Sequence, residues 1–212
     1  DDLGKEPKII DIPEDLKEQA KEARAYMVER IAELDDELTH KYLEGDTISV
    51  EELKAALRKA VISNQAAPVF CGSSLKNKGV QVLLDAVIDY LPSPVEVPPV
   101  MGTDVDREEQ IELPAKDDAP LSALVFKIVT DPYVGRLAYF RVYSGVLSQG
   151  QMVTNTSKGR RERIGRLIRM HADRREDITE VRAGDIGAVL GLKDTFTGDT
   201  LCDTKKIVLE SI

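Results

Sequence analysis

The sequence predicts an α/β fragment with a helical hairpin insert, followed by an antiparallel β-barrel. Three observations carry this. A short apolar run at 66–70 enters a Gly/Ser/Asn loop and then an amphipathic stretch at 79–91, the strand–loop–helix order of a parallel α/β sheet. Upstream, apolar residues recur every three or four positions in two stretches, the period of helices lying on a core. After Pro120 they alternate in short runs separated by Gly and Asp turns, as in a closed antiparallel barrel. The expected organisation is therefore 1–92 (insert about 5–65), a linker at 93–119, and a barrel at 120–212.

The first twelve residues look cut from something larger. Ile9, Ile10 and Ile12 could form a strand, and Asp1-Asp2-Leu3-Gly4 matches Asp-x-x-Gly by chance. Pro13-Glu14-Asp15 reads as a helix start, with proline in the first turn and carboxylates at the positive end of the dipole. Leu16, Ala20, Ala23, Met27, Ile31, Leu34 and Leu38 then share one face of a helix that Gly45 stops. Ser49-Val50-Glu51-Glu52 is a capping box opening a second helix, with Leu53, Ala56, Leu57, Ala60 and Val61 inward. Prolines at 92, 94, 98, 99, 114 and 120, with acidic residues between them, mark the linker. In the barrel, 121–130 is β-rich, 131–135 turns, and 136–143 alternates Leu137, Tyr139, Arg141 and Tyr143 with Ala138, Phe140 and Val142. Later turns fall at 183–185 and 197–199, and residues 206–210 close or leave the barrel.

Composition narrows the function classes. The chain has 212 residues, 42% of them hydrophobic, enough for a sizeable core. No apolar run approaches the ~20 residues that span a bilayer, and no signal-peptide pattern opens the chain. Cys71 and Cys202 read as buried thiols of a reducing cytoplasm, with one disulfide as the alternative. The net charge of −9 argues against generic nucleic-acid binding, but it conceals an asymmetry. Glu29, Glu33, Asp35, Asp36 and Glu37 make the first arm acidic, whereas 158–175 carries eight Lys and Arg against Glu162 and Asp173. Two different partners are implied.

The search for an active site returns little. There is no Gly-x-x-x-x-Gly-Lys-Ser/Thr phosphate cradle and no Asn-Lys-x-Asp, since Asn77-Lys78 is followed by Gly79-Val80. His40 and His171 have no metal-ligand spacing around them, and no metal site or nucleophile–base pair can be nominated. Two features remain. Ser73 and Ser74 end the expected strand, in either an ordinary connecting loop or a ligand loop. The basic segment is either a solvated face or a phosphate-contacting one.

The wording of the first loop is specific. Cys71-Gly72-Ser73-Ser74-Leu75-Lys76-Asn77-Lys78-Gly79-Val80-Gln81, with Leu84-Asp85-Ala86-Val87-Ile88-Asp89-Tyr90-Leu91-Pro92-Ser93-Pro94, closely resembles the end of the G domain of bacterial elongation factor G. The barrel elements Gly135-Arg136, Tyr143-Ser144-Gly145, Arg182-Ala183-Gly184-Asp185, Gly191-Leu192 and Thr197-Gly198-Asp199-Thr200-Leu201 resemble the second domain shared by translational GTPases. The resemblance covers essentially the whole chain and makes the barrel one of the translation-factor domain II type.

It implies that Ser73, Ser74 and Leu75 form the fifth guanine-nucleotide motif, where a main-chain N–H meets the guanine O6 and Ser74 stands in place of the family's usual Ala. The helical insert is implied to meet the ribosomal stalk protein, with Glu18, Glu22 and Glu29 as candidate contacts. The barrel is implied to dock on small-subunit rRNA, with Arg160, Arg161 and Arg163 as candidates and His171 near them. The intact protein would bind the ribosome in the cytoplasm and use GTP and magnesium to drive tRNA–mRNA translocation. A ribosomal-protection or recycling-type factor would share both domains, and an independent RNA-binding β-barrel with a helical protein-interaction arm is a different class of reading. This chain alone is expected to be monomeric and inactive as a GTPase, and to bind neither GTP nor GDP at micromolar concentration. One or two hydrogen bonds netting about 0.5–1.5 kcal/mol each do not offset an association entropy of at least about 4 kcal/mol.

Overall fold

A computed structural model of the chain describes residues 10–131, 135–171 and 174–210. It divides into two compact units, Asp1–Pro92 and Ser93–Ile212.

The first unit is helical. A 3-10 turn at Glu14–Leu16 leads into α1 (Lys17–Ala32), followed by α2 (Asp36–Glu44), α3 (Val50–Ile62) and α4 (Val80–Tyr90). The single long helix expected up to Gly45 is interrupted. Asp35 is extended, and its carboxylate accepts the N–H groups of Glu37 and Leu38, starting α2 as a separate helix. Thr39 Oγ1 donates to Ala32 O at 2.8 Å across the break. The insert is thus three helices rather than a hairpin. Gly45, at φ 78°, terminates α2, and the capping box at Ser49 and Glu52 is formed. Ile31, Ala32, Leu38, Leu53 and Ala56 make the small core, against which Val28, Ile48 and Leu57 pack. Ala23 and Met27 of the expected stripe are exposed instead.

The expected strand at 66–70 does not form. These residues have no regular structure, and Val69 is 90% exposed. A strand needs ladder partners, and the described residues of this unit hold no other named strand. The α/β reading is therefore corrected to helices here, although α4 stands where expected. Cys71, read as buried, is exposed. Asp1–Ile9 lie outside the described residues, and Ile10 and Ile12 are exposed.

The second unit is antiparallel β. Its strands are β1 (Val100–Asp104), β2 (Glu109–Leu113), β3 (Ser122–Asp131), β4 (Gly135–Ser144), β5 (Val146–Ser148), β6 (Met152–Asn155), β7 (Arg160–Arg163), β8 (Leu167–His171), β9 (Arg174–Ile178), β10 (Glu180–Arg182), β11 (Ile186–Leu190), β12 (Thr200–Cys202) and β13 (Ile207–Leu209). Eight pair in the order β7-β6-β12-β3-β4-β11-β8-β9, and β10 pairs β5 separately. The ladder curls around one core from Leu121, Val125, Phe140, Leu147, Val153, Leu167, Val181 and Leu201. It is not closed by hydrogen bonds: among the described residues its ends, β7 and β9, do not pair. The antiparallel fold is as expected, but the barrel is an open one. The alternation read in 136–143 holds, with Ala138, Phe140 and Val142 in the core.

One further expectation is corrected. Part of the supposed linker is a hairpin, β1–β2, which pairs with β13 as a sheet ordered β13-β1-β2. Asp104 Oδ1 accepts the N–H groups of Asp106 and Arg107, turning the chain. Gly102 leaves room for a third strand, since a Cβ there would lie 2.7 Å from Ile207 Cγ2. Leu113, Leu124, Cys202, Ile207 and Leu209 fill the space beneath. Residues 207–209 thus leave the large sheet to join the hairpin. The turn read at 131–135 lies partly outside the described residues.

Candidate functional site

The loop before α4 is built by local constraint. Ser73 and Lys78 exchange two backbone hydrogen bonds of 2.9 Å each, and Asn77 N–H donates to Ser74 O at 3.2 Å. Ser73 Oγ accepts the Lys76 N–H at 3.3 Å. The tight closure explains Gly72, where a Cβ would lie 2.9 Å from Lys78 O. Gly79, at φ 76°, then starts α4. Ser74 and Leu75 occupy the tip, and Leu75 is 94% exposed. Among the described residues no acceptor meets the N–H of either. The loop flanks a concavity of about 260 Å³ that Phe70, Ser73, Ser74 and Leu83 help to line. It can therefore offer two main-chain donors to a carbonyl-type acceptor, with the exposed Lys76 in the same turn. Among the described residues no group of three or more His, Cys, Asp and Glu could hold a metal ion.

Glu18, Glu22 and Glu29 lie on α1, all exposed. At 100° per residue they fall within about 40° of one another, a single acidic stripe. None has a hydrogen-bond or ion-pair partner among the described residues, unlike Glu14 with Lys17 or Glu33 with Arg30. Tyr26, on the same helix and exposed, sits beneath the Arg30 guanidinium at 5.2 Å.

The basic segment is divided between strands that do not pair with each other. β7 sits at one end of the eight-strand ladder and β8 with β9 at the other, and the ladder curls so that the short link 164–166 joins those ends. Within β7 the pleat separates the candidates further. Arg160 and Glu162 stand opposite buried Asn155 and Val153, whereas Arg161 and Arg163 stand opposite Thr154 and Met152. Arg160 pairs with Asp194 at 2.8 Å, and Arg163 Nε donates to Gly150 O at 3.2 Å. Arg161 is exposed with no partner among the described residues. Arg166 makes a bidentate pair with Asp177, and the two groups shift each other's protonation, the guanidinium upward and the carboxyl downward. His171 is exposed, 3.6 Å from Glu176. His40 is exposed on α2.

What the sequence reading missed is a polar knot around residues 193–199. Asn155 Nδ2 donates to Asp199 Oδ2 at 2.9 Å and to Thr195 Oγ1 at 3.2 Å, all three residues being buried. Glu162 accepts from the N–H groups of Lys193 and Asp194 and from the Thr195 hydroxyl. Burial raises the Glu162 carboxyl, but these hydrogen bonds outweigh it and hold the group below its ordinary range. Asp199 is likewise depressed: burial raises it, and Lys158, Asn155 and the Phe196 N–H lower it further. Phe196 is half exposed and takes Lys158 Nζ at 3.9 Å and the Arg136 guanidinium at 4.2 Å from its ring centroid. The only sequence signal was the Thr197-Gly198-Asp199 turn, which shows nothing of partners some 40 residues away.

Comparison with known proteins bears on the β unit most directly. Residues 120–204, from β3 through β12, match the family model for elongation factor G domain 2. A crystal structure of a protein from Thermus thermophilus aligns over 94% of this chain with a TM-score of 0.71 and 28% sequence identity. The chain spans 27% of the length of that solved protein. The hairpin β1–β2 and strand β13 fall outside the residues of the family match.

Proposed function

We propose, from the domain of elongation factor G domain 2 type that residues 120–204 form, that this chain is a ribosome-contacting part of a translation elongation factor. In the intact protein, GTP hydrolysis would drive tRNA–mRNA translocation, with magnesium at the phosphates. The family match over the β unit is the observation that carries this reading. The helical unit supports it physically. Residues 66–70 have the composition of a buried strand, and Leu84 and Ile88 of α4 are 58% and 76% exposed. Such a surface is the expected flank of a larger α/β nucleotide domain, whose sheet would pair 66–70 and cover α4. This chain would then supply one base contact, from the free N–H groups of Ser74 and Leu75, with Ser73 bracing the loop. Phosphate and magnesium contacts would come from residues beyond it.

The partners divide between the units. The acidic stripe of Glu18, Glu22 and Glu29 suits the stalk protein of the large subunit. On the β unit, Arg161 and Arg163 suit small-subunit rRNA, whereas Arg160 is committed to Asp194. Phosphate contacts of this kind position a module without reading sequence.

Co-sedimentation of the chain with ribosomes at two salt concentrations tests the reading. Binding should be present at low salt, and replacing Arg161 and Arg163 by Ala should weaken it and flatten its salt slope by about one unit per phosphate lost. Absence of sedimentation at low salt would overturn the proposal. Equal slopes for variant and parent would remove the arginines from it.

A further inference from the structure

The β unit contains a second concavity, lined by none of the residues assigned to the proposed function. It has a volume of about 320 Å³, and Pro94, Pro98, Val100, Leu113, Lys116 and Arg141 are among its walls. That volume is at the lower end of small-ligand pockets. Its proline-rich wall is fixed by close contact: Gly184 has φ 90°, and a Cβ on it would lie 2.6 Å from Pro94 Cβ.

The charge of this cavity is unbalanced. None of its lining residues is Asp or Glu, although the chain carries 38 acidic residues against 29 Lys and Arg. Arg141, projecting from the centre of β4, has its Nε buried without a hydrogen-bond partner. Its guanidinium stands 5.5 Å from the Tyr143 ring centroid and forms no ion pair or hydrogen bond with any described residue. Arg160, Arg166 and Arg182 of the same unit, by contrast, are each paired with a carboxylate. A buried guanidinium N–H without an acceptor is costly to fold, so an anion held by the rest of the same guanidinium would offset part of that cost. Lys116, exposed at the rim, adds a second cation.

We infer that this cavity binds a small organic anion: an apolar body of a few carbons against the proline and valine wall, with a carboxylate or phosphate on Arg141 and Lys116. The Nη groups of the planar guanidinium, unlike the enclosed Nε, can meet two oxygens of such a group, the kind of contact that favours Arg over Lys for planar anions. This site does not depend on the ribosomal reading, because none of its residues belongs to the proposed RNA or protein contacts.

The test uses the whole 212-residue chain with the Arg side-chain Nε–Hε resonances followed by NMR. Hexanoate is titrated, with hexanol as the uncharged control and hexyl phosphate as the alternative headgroup. Hexanoate or hexyl phosphate should shift the Arg141 resonance saturably, with a dissociation constant on the order of 1 mM for so small a ligand. The tighter of the two identifies the headgroup, and hexanol should bind about tenfold more weakly. Arg141→Met should weaken the anion about tenfold. Ala115→Leu, which fills the cavity from its wall, should abolish the shift and serves should Arg141→Met fail to fold. Equal affinities for hexanoate, hexyl phosphate and hexanol would overturn the inference. So would an Arg141 resonance unmoved up to about 10 mM anion, since water alone would then be serving the guanidinium.

Discussion

In the β unit, patterned apolar residues disappear from solvent: Val125, Phe140, Val142, Leu147 and Leu201 are all 0% exposed. The helical unit is patterned as clearly but buries less. Its large core side chains, Ile31, Leu38 and Leu53, keep a small residual exposure, and α4 turns most of an apolar face outward. The strands of the β unit find partners within the unit, through pairings such as β3 with β12 and β4 with β11. The helices of the first unit cover one another only over a narrow stripe. An apolar period therefore states that a face must be covered; it does not state what covers it.

Core truncation should separate the two units most sharply. Phe140→Ala should remove about 3–5 kcal/mol from the β unit in urea denaturation, because a fully buried ring leaves a cavity that eight paired strands cannot collapse. A loss below about 1 kcal/mol would show that the open ladder relaxes more than its packing implies.

A smaller effect is expected at the start of α3. Ser49→Ala should cost the helical unit about 1 kcal/mol, read from the 222 nm transition. The same box carries a pH dependence. Glu52, held by Lys41 and then by the Ser49 N–H, is pushed down to about 2 from an ordinary 4.5. The unfolded chain therefore takes up the proton first. The contribution of this carboxylate is complete above about 4.5 and is lost as the pH falls toward about 2. Glu52→Gln should remove that part of the acid transition, and an unchanged acid limb would detach the carboxylate from it.

The smallest effect belongs to the exposed face of α4. Ile88→Ser should leave the helical unit within about ±0.5 kcal/mol of the parent, since the side chain meets solvent. A loss above about 2 kcal/mol would mean that α4 is covered within this chain, and the contrast between the units would fail.

Short-range features were legible in the sequence because they close within about four residues. The capping box at Ser49, the glycine stop at Gly45, the turns at Gly184 and Gly198, and the alternation through β4 each rest on hydrogen bonds or pleat geometry that the local residues dictate. The order of residues at 71–94, and the barrel motifs, carried the resemblance and with it the candidate site residues. Everything that needed a distant partner was settled only in three dimensions. Residues 66–70 lack strands to pair with, while Val100–Asp104, already paired with Glu109–Leu113, gains a third strand from residues 207–209 about 100 positions later. The basic run was one feature in sequence and falls on the two end strands of a curled ladder, which do not pair with each other, since strand order is set by which faces must share a core. Arg160 and Arg161 are neighbours in the chain, yet the pleat aims one at Asp194 and leaves the other to solvent. Local hydrogen bonds choose the elements; the burial of their apolar faces against remote ones decides which charges end up together.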